Sequence, residues 1–424
     1  MTEPSTVETG ASWRVLAASG VVVAFGVQAL WFATLGLFLR PLENELGWSR
    51  ADIAFSITLL TFLVPALMPA IGWVIDRVAL RPLILASVVL QALGIAANSL
   101  LAGSVWNFYA LVVIVAVVAS GASSVTLAKL IKGWFEASLG RAFGILFACA
   151  SLGGIVNPLL AQALLQRLGW RQAYIALGLV ALVFGGVAAL VAIRERPGTS
   201  TRPPATSQPV RQDPPAGASA TTFASMLRRK SWWLLAAWNC AFSFAVSGIL
   251  FHFAALLQDR GVPPESSAVA LSLMAGSAFA GNLVIGWLMD RVPARLLACA
   301  MMIAPLCGVL LLLGTDDTRI ALLAAIVFGL CAGSEGSLNA YLVGRLFGLG
   351  VYGRAYSTQQ VVIGLGGGFA PWFVALLQGR SGNYTLALVI SASAFGLAAL
   401  LALLLPDVRT NRSPSRPQTL IAKA

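Results

Sequence analysis

Residues 72–81 read GWVIDRVALR and residues 286–295 read GWLMDRVPAR, so the pattern GWxxDRVxxR occurs twice, 214 residues apart. A second pair of matches supports this repeat: Gly140-Arg141-Ala142 corresponds to Gly353-Arg354-Ala355 at an offset of 213 residues. Self-similarity at a nearly constant offset indicates that a chain consists of two halves built alike. We therefore expect two similarly folded halves.

Both halves are strongly apolar. Apolar residues make up 58% of the 424 residues, charged residues only 10%, and the mean hydropathy is +0.85. Apolar stretches of roughly 20 residues, the length that crosses a bilayer, recur with short polar gaps. We predict an all-α membrane protein with twelve transmembrane helices in two six-helix pseudo-repeats, which excludes soluble catalytic domains. The predicted spans are 13–39, 52–75, 82–102, 105–133, 140–166, 172–193, 232–257, 265–289, 296–314, 319–346, 353–378 and 384–405.

The distribution of the basic residues indicates the orientation of these spans in the membrane. The net charge is +12, but the 28 Lys and Arg residues punctuate the gaps between apolar stretches and form no basic face, which argues against nucleic acid as a partner. With twelve spans, 20 of these 28 residues fall on the side of the two termini and seven on the opposite side. The positive-inside rule then predicts a multi-pass protein with both termini in the cytoplasm. The dominance of Arg among the basic residues indicates a GC-rich bacterial genome. We therefore expect the protein in a bacterial inner membrane.

The spans divide into two bundles of six. Residues 197–231 begin with a Pro-, Ser- and Thr-rich stretch that cannot bury an apolar face, so we expect a cytoplasmic linker there. The predicted organisation is a cytoplasmic N-terminus (1–12), an N-terminal bundle (13–196), this linker, a C-terminal bundle (232–406) and a cytoplasmic tail (407–424).

The sequence offers little for enzymatic chemistry. It contains one histidine, five scattered cysteines, no cluster with the spacing of metal ligands and no nucleophile motif with a plausible base. We predict no enzyme, no metal and no cofactor. Two equal halves in parallel orientation are instead typical of a transporter that alternates access to one site near the membrane midplane, between the halves. We expect a functional monomer.

Polar residues inside apolar spans are costly, so each is a candidate functional residue. Glu335 lies near the middle of span 10, with Asn339 one turn later, and a desolvated carboxyl group there is suited to proton coupling. His252, the only histidine, lies in span 7 and is a candidate for both substrate binding and proton coupling. The predicted substrate-binding residues are His252, Asn282, Asn157, Trp31, Gln28, Asn339, Lys129 and Gln359.

The repeated GWxxDRVxxR pattern resembles the loop motif of the major facilitator superfamily, and the six-plus-six layout agrees with that family over essentially the whole chain. The segments LGLFLRPLENELGWSRADIAFSITL (35–59) and GRLFGLGVYGRAYS (344–357) look like the bacterial monocarboxylate and oxalate/formate antiporter branch. This resemblance implies transport of a small organic acid, with a proton or in exchange for another anion. The sequence departs from that branch at Asn282, a position at which members of the branch usually carry an anion-binding Arg.

An aspartate at the end of a helix faces the negative end of the helix dipole and therefore needs a cation or another helix's N-terminus. The family resemblance implies that such aspartates and their partners form a cytoplasmic latch, which holds the outward-open state and breaks during the transport cycle. The predicted latch residues are Gly72, Asp76, Arg77, Arg81, Arg141, Gly286, Asp290, Arg291, Arg295 and Arg354.

Two functions remain open at this point. One is a proton-coupled transporter of a small organic acid. The alternative is a proton-driven efflux antiporter for small drug-like molecules, a class with a Gly- and Pro-rich pattern in span 5. Gly144, Gly153 and Pro158 fit that pattern, whereas Asn157, Ala161 and Gln162 do not.

Overall fold

The computed structural model describes residues 10–48, 50–195, 223–314 and 317–406, and these ranges are almost entirely helical, with no strand among them. Residues 1–9 of the predicted N-terminal segment, the linker up to residue 222 and the predicted tail lie outside the described residues. The last part of the predicted linker forms a short helix.

The first half of the chain contains α1 (Gly10–Ala24), α2 (Val27–Leu30), α3 (Leu35–Leu46), α4 (Arg50–Ile75), α5 (Leu80–Ala97), α6 (Val105–Ala119), α7 (Ser124–Trp134), α8 (Leu139–Val180) and α9 (Val187–Ala192). The short helix α10 (Phe223–Leu227) precedes the second half, which contains α11 (Lys230–Asp259), α12 (Pro264–Met289), α13 (Ala294–Gly314), α14 (Thr318–Phe347), α15 (Tyr352–Ser381) and α16 (Thr385–Leu403). A π-helical segment, Ala181–Gly186, joins α8 to α9.

These helices account for the twelve predicted spans. Ten apolar stretches in the described part of the chain are long enough to cross a membrane, and one of them, Leu139–Ala192, has 54 residues. A straight helix of that length would measure about 80 Å, far more than the roughly 30 Å of a hydrocarbon core. Gly169, with φ 75° and ψ 167°, divides this stretch into two crossings. Adding α4, which has 26 residues, gives twelve crossings.

The first span is not the single helix over 13–39 that its apolar pattern predicts. α1 ends at Ala24, and Gly26 is extended, with φ −75° and ψ 166°. α2 and a 3-10 turn follow before α3 resumes a regular helix and continues to Leu46. We call the interruption around Phe25 and Gly26 the helix-1 break. The matching first helix of the second half, α11, is continuous over its 30 residues.

Polar contacts fasten α3 to the second crossing of α8. The Glu45 carboxylate accepts hydrogen bonds from the indole of Trp170 and from the guanidinium of Arg171. Arg171 also donates to the carbonyl of Leu101 at 3.2 Å and lies over the Trp170 ring, 4.2 Å from its centroid. We call Glu45, Trp170 and Arg171 the α3 anchor.

The two halves meet through α4 against α15 and through α8 against α12, a reciprocal arrangement that follows the repeat. One apolar cluster includes side chains from both halves, for example Phe143 of α8 and Met289 of α12. Large apolar side chains such as Leu93 and Leu400 are exposed on the outer surface, as expected of helices that face lipid. We call the end of the molecule that carries residues 72–81 and 286–295 the motif end.

Candidate functional site

At the motif end, Asp76 links the two halves. It follows the last residue of α4 and is only 7% exposed. Its Oδ1 accepts a hydrogen bond from the backbone amide of Gly353 at 2.9 Å, and its Oδ2 accepts one from the amide of Arg354 at 3.1 Å. Arg354 Nε lies 3.1 Å from Oδ2, and Lys129 Nζ lies 2.8 Å from Oδ1. Asp76 therefore has two backbone donors and two cations.

Asp290 makes the reciprocal contact. Its Oδ1 accepts from the backbone amide of Gly140 at 2.7 Å, and its Oδ2 accepts from the amide of Arg141 at 2.9 Å. Arg141 Nε is 3.5 Å from Oδ2. Burial raises the pKa of Asp290 above the ordinary aspartate value, and the hydrogen bonds from Arg141 and Gly140 oppose that rise.

Both aspartates are stabilised in the same way, by the N-terminus of a helix. Each caps the first turn of a helix in the opposite half, α15 for Asp76 and α8 for Asp290. The first amides of a helix have no partner within that helix, and the helix dipole is positive there, so a carboxylate is stabilised. The unfavourable dipole at the end of each aspartate's own helix is offset in this way. We call these two contacts the Asp76 link and the Asp290 link.

Glycines allow the close approach that the two links need. A Cβ added to Gly72 would lie 2.1 Å from Ser357 Oγ and 2.6 Å from the carbonyl oxygen of Gly353. A Cβ added to Gly286 would lie 2.6 Å from Cα of Gly144. The Gly of each repeated motif is therefore a packing requirement between the halves.

The links differ in charge. The repeat offset of 213 residues matches Lys129 with Leu342, so the Asp290 link has no counterpart of the buried lysine. Lys129, which the sequence suggested as a substrate-binding residue, is 6% exposed and also donates to the carbonyl of Ile75 at 2.8 Å. Its ammonium group is thus bound within the Asp76 link.

Three predicted latch arginines make contacts with groups other than the two aspartates. The guanidinium of Arg77 stacks on Trp73, 3.9 Å from the ring centroid, and that of Arg291 stacks on Trp287 at 3.7 Å. Arg81 donates from Nη2 to the carbonyl of Leu190 at 3.3 Å. Arg295 lies in the first turn of α13. Of the predicted set, the structure brings together Gly72, Asp76, Arg141, Gly286, Asp290 and Arg354.

Inside the second half, amide side chains from three helices form a connected group. Asn239 of α11 donates from Nδ2 to Asn339 Oδ1 at 3.1 Å and to Gln359 Oε1 at 3.0 Å. Asn339 donates to Gln360 Oε1 at 3.3 Å. We call Asn239, Asn339, Gln359 and Gln360 the amide cluster. It joins α11, α14 and α15 and includes two of the predicted substrate-binding residues.

Glu335 lies one turn before Asn339 on α14. Its Oε1 is buried and has no hydrogen-bond partner among the described residues. The following residue, Gly336, packs on Phe147 of the opposite half, because a Cβ there would lie 2.8 Å from the ring. Glu335 is therefore a partly buried residue, with one buried carboxyl oxygen, close to the contact between the halves.

In the first half, side chains of two other helices form hydrogen bonds with backbone groups at the helix-1 break. Asn157 Nδ2 donates to the carbonyl of Ala24 at 2.8 Å, and the amide of Val27 donates to Gln91 Oε1 at 3.3 Å. The Asn157 Oδ1 atom is buried without a partner among the described residues. Gln28, between these contacts in sequence, is exposed although it lies near the middle of a span. The helix-1 break is thus a polar part of the first half, with Gln28 exposed beside it.

Replacing Asn157 with Ala is expected to lower the melting temperature of the purified protein. The change leaves the Ala24 carbonyl of the break without its donor, and an unsatisfied buried group costs about 1–3 kcal/mol. Asn98→Ala is the matched control, because Asn98 donates to the carbonyl of Gly94 within its own helix at 2.9 Å. Equal melting temperatures for the two variants would contradict a role of Asn157 in holding the break.

Three other predicted residues have well-defined surroundings. Asn282 is 1% exposed and donates to Ser151 Oγ of the opposite half at 3.4 Å. His252 Nε2 lies 3.0 Å from the carbonyl of Pro371, and its Nδ1 lies 3.5 Å from the hydroxyl of Tyr384. Trp31 is buried, and its indole Nε1 has no partner within the described ranges.

The sequence reasoning gave no role to Gln91, Ser151 or Tyr356, each of which contacts a candidate element. Gln91 was detectable as a lone amide within an apolar span. Ser151 and Tyr356 carry no comparable signal, because serine and tyrosine are common in membrane helices.

Twelve crossings in two like halves, with polar groups between them, are the architecture of a secondary transporter. A family model described as Major Facilitator Superfamily matches residues 16–371. The chain belongs to this superfamily, whose members are transporters and not enzymes. The predicted family, the helical fold and the absence of an enzymatic function are therefore confirmed.

Named relatives agree with this assignment. The chain is 25% identical over 396 residues to monocarboxylate transporter 11 of Homo sapiens, covering 91% of this chain and 80% of that protein. It is 26% identical over 395 residues to the probable sulfoacetate transporter SauU of Cupriavidus necator, covering 88% and 89%. Homology to monocarboxylate transporters is thus established at low identity.

Solved structures share the fold. The transporter FucP in the outward conformation superposes with a TM-score of 0.69 at 15% identity, covering 93% of this chain and 98% of that chain. The proton:xylose symporter XylE, bound to 6-bromo-6-deoxy-D-glucose, superposes with a TM-score of 0.72 at 12% identity, covering 95% and 98%.

Proposed function

We propose that this protein carries a small organic acid, such as a monocarboxylate, together with a proton across a bacterial inner membrane by alternating access. Both termini lie in the cytoplasm, and the monomer is the working unit. The observation that carries the proposal is Glu335, a partly buried residue one turn from the amide cluster, with a buried carboxyl oxygen that has no partner among the described residues.

The chemistry of Glu335 suits a proton carrier. An ionised carboxylate without a partner is unfavourable in an apolar interior, so this group is most readily buried when it carries a proton. When the proton is released to water, the charge must be exposed or solvated. The protonation state of Glu335 is therefore coupled to the conformation of the transporter, that is, to the side of the membrane that the site faces.

The substrate would bind between the halves, on neutral hydrogen-bonding groups. The cation of Lys129 is bound to Asp76, and His252 contacts Pro371 and Tyr384, so neither is placed to be the main partner of a carboxylate. An acid that enters with a proton adds no net charge, and amide donors can then bind it. The proposed substrate-binding residues are Gln28, Trp31, Asn157, Asn282, Asn339 and Gln359.

We also infer that the Asp76 and Asp290 links are the latch of the cycle. Both join the halves at the motif end, which the charge distribution assigns to the cytoplasm. While they hold, the site opens only to the outside. Release of the substrate into the cytoplasm requires the first turns of α15 and α8 to separate from the two aspartates.

The test is uptake into proteoliposomes of radiolabelled acetate, lactate, pyruvate, oxalate and sulfoacetate, with and without an inward proton gradient. The wild-type protein is expected to accumulate at least one acid in response to the gradient. Glu335→Gln is expected to reduce gradient-driven accumulation by about tenfold or more, because the amide cannot carry a proton. Asp259→Asn, which likewise replaces a carboxylate with its amide but at an exposed position at the end of α11, is expected to behave as wild type.

Gradient-independent exchange that survives in Glu335→Gln would contradict proton coupling and indicate an anion exchanger. The efflux alternative rests on the close packing of Gly144 and Gly153, the two glycines that fit the antiporter pattern. The chain is also 29% identical over 193 residues to the multidrug resistance protein B homolog of Mycobacterium tuberculosis, covering 44% of this chain and 34% of that protein. Proton-driven extrusion of a cationic dye, with no movement of any acid, would favour that alternative.

A further inference from the structure

Tyr356 connects the buried carboxyl group of α14 with the helix that binds Asp76. It lies on α15, two residues after Arg354, and is fully buried. Its hydroxyl donates to the carbonyl of Gly336 at 3.3 Å, and Gly336 directly follows Glu335. A tyrosine hydroxyl buried in an apolar bundle requires a partner, and this one binds the carbonyl of the residue that follows Glu335, whose carboxyl Oε1 has no partner among the described residues.

The other charged residues of α14, Arg319 and Arg345, lie near its two ends. The helices packed against α14 carry these charged residues: Lys129 and Lys132 of α7, Arg141, Arg167 and Arg171 of α8, Lys230 and Asp259 of α11, Glu265 of α12 and Asp290 after it, Arg295 of α13, and Arg354 and Arg380 of α15. The titratable His252 of α11 contacts Pro371 and Tyr384. Tyr356 is a side-chain donor bound to the residue next to Glu335.

We propose that Tyr356 is a positioning residue for the proton step, with a hydroxyl that exchanges between two acceptors. In the structure the hydroxyl donates to the Gly336 carbonyl, and we assign this arrangement to the protonated form of Glu335. When Glu335 loses its proton, the hydroxyl donates to the carboxylate. This inference rests on the proposed function, because it assumes that Glu335 carries the transported proton.

The physical consequence is a shift in the proton affinity of Glu335. A donor that hydrogen-bonds only the ionised carboxylate stabilises that form and favours release of the proton. Without the hydroxyl, Glu335 would keep its proton to a higher pH. Since Tyr356 lies on the same turn as Arg354, the exchange also takes place next to the Asp76 link.

The test is an infrared pH titration of the full-length protein in liposomes, in which the carboxyl C=O band that Glu335→Gln abolishes is assigned to Glu335. Tyr356→Phe is expected to move the midpoint of that band to higher pH by roughly one unit, a tenfold change in proton affinity. Tyr352→Phe is the matched control. Tyr352 is equally buried and one turn away, and its hydroxyl donates to the carbonyl of Ala340 at 3.3 Å.

An unchanged midpoint in Tyr356→Phe, with a normal melting temperature, would overturn the role of Tyr356 and leave the proposed function intact. Equal shifts in both tyrosine variants would also overturn it, because a general effect of hydroxyl loss would then explain the change. If Glu335→Gln removed no titrating band and kept gradient-driven uptake, the proposed function would fail together with this inference.

Discussion

Asp76→Asn is expected to reduce uptake by at least about tenfold at equal expression. The asparagine keeps the shape of the side chain but leaves Lys129 buried without a counter-charge, and removing one member of a buried ion pair costs about 3–5 kcal/mol. The halves should then separate at the motif end. The measurement is maleimide labelling of Ser357→Cys, a buried position beside Gly72, which should become faster in the variant.

Two comparisons separate a latch from a general loss of stability. Asp76→Asn with Lys129→Met removes the unpaired cation together with the carboxylate, so transport should recover in part. Asp290→Asn should have the smaller effect, because Arg141 lies 3.5 Å away and its side chain is 48% exposed. Wild-type uptake and labelling in Asp76→Asn would refute the latch.

Gly144→Ala is expected to lower uptake by roughly tenfold. A Cβ at this position would lie 2.4 Å from the carbonyl oxygen of Asn282 and 2.7 Å from Cα of Gly286, so α8 and α12 could not approach as they do here. Overpacking of this kind costs about 1–3 kcal/mol, and only the state closed at the motif end bears the cost. The same labelling assay measures the shift between states.

Gly154 provides the control within the same helix. A Cβ there would meet nothing within 4 Å, and alanine is a better helix former than glycine by about 1 kcal/mol. Gly154→Ala should therefore transport like the wild type and melt at the same temperature or higher. Equal losses of uptake in Gly144→Ala and Gly154→Ala would contradict this prediction. They would show that these glycines act through the flexibility of α8 and not through contact between the halves.

Much of the fold follows from short-range patterns in the sequence. Apolar stretches of membrane-spanning length predict the twelve crossings, and the repeated motif predicts two like halves. The helix dipole also predicts that Asp76 and Asp290 each need a cation or the N-terminus of another helix as a partner. In the structure each aspartate has both.

The partners of these aspartates could not be chosen from sequence. Arg77 and Arg81 are nearer to Asp76 in the chain, but the donors come from residues 353 and 354 and from Lys129. Long basic side chains can reach several neighbours, and the approach of the two halves decides between them. The helix-1 break was hidden for a similar reason, because it depends on Asn157 and Gln91, which are distant in sequence.

The helix-1 break divides the first crossing into two mechanically separate pieces. The piece nearer the motif end, α1, packs along α8, where Gly153 lies directly against Ala24. The piece farther from the motif end is attached through the α3 anchor to the part of α8 beyond Gly169, where the chain changes direction. Any movement of the first half at the end opposite the motif end is therefore expected to turn about Gly26 and Gly169. In the second half α11 is continuous and has no counterpart of the helix-1 break, so we expect that end to close mainly by movement of the first half.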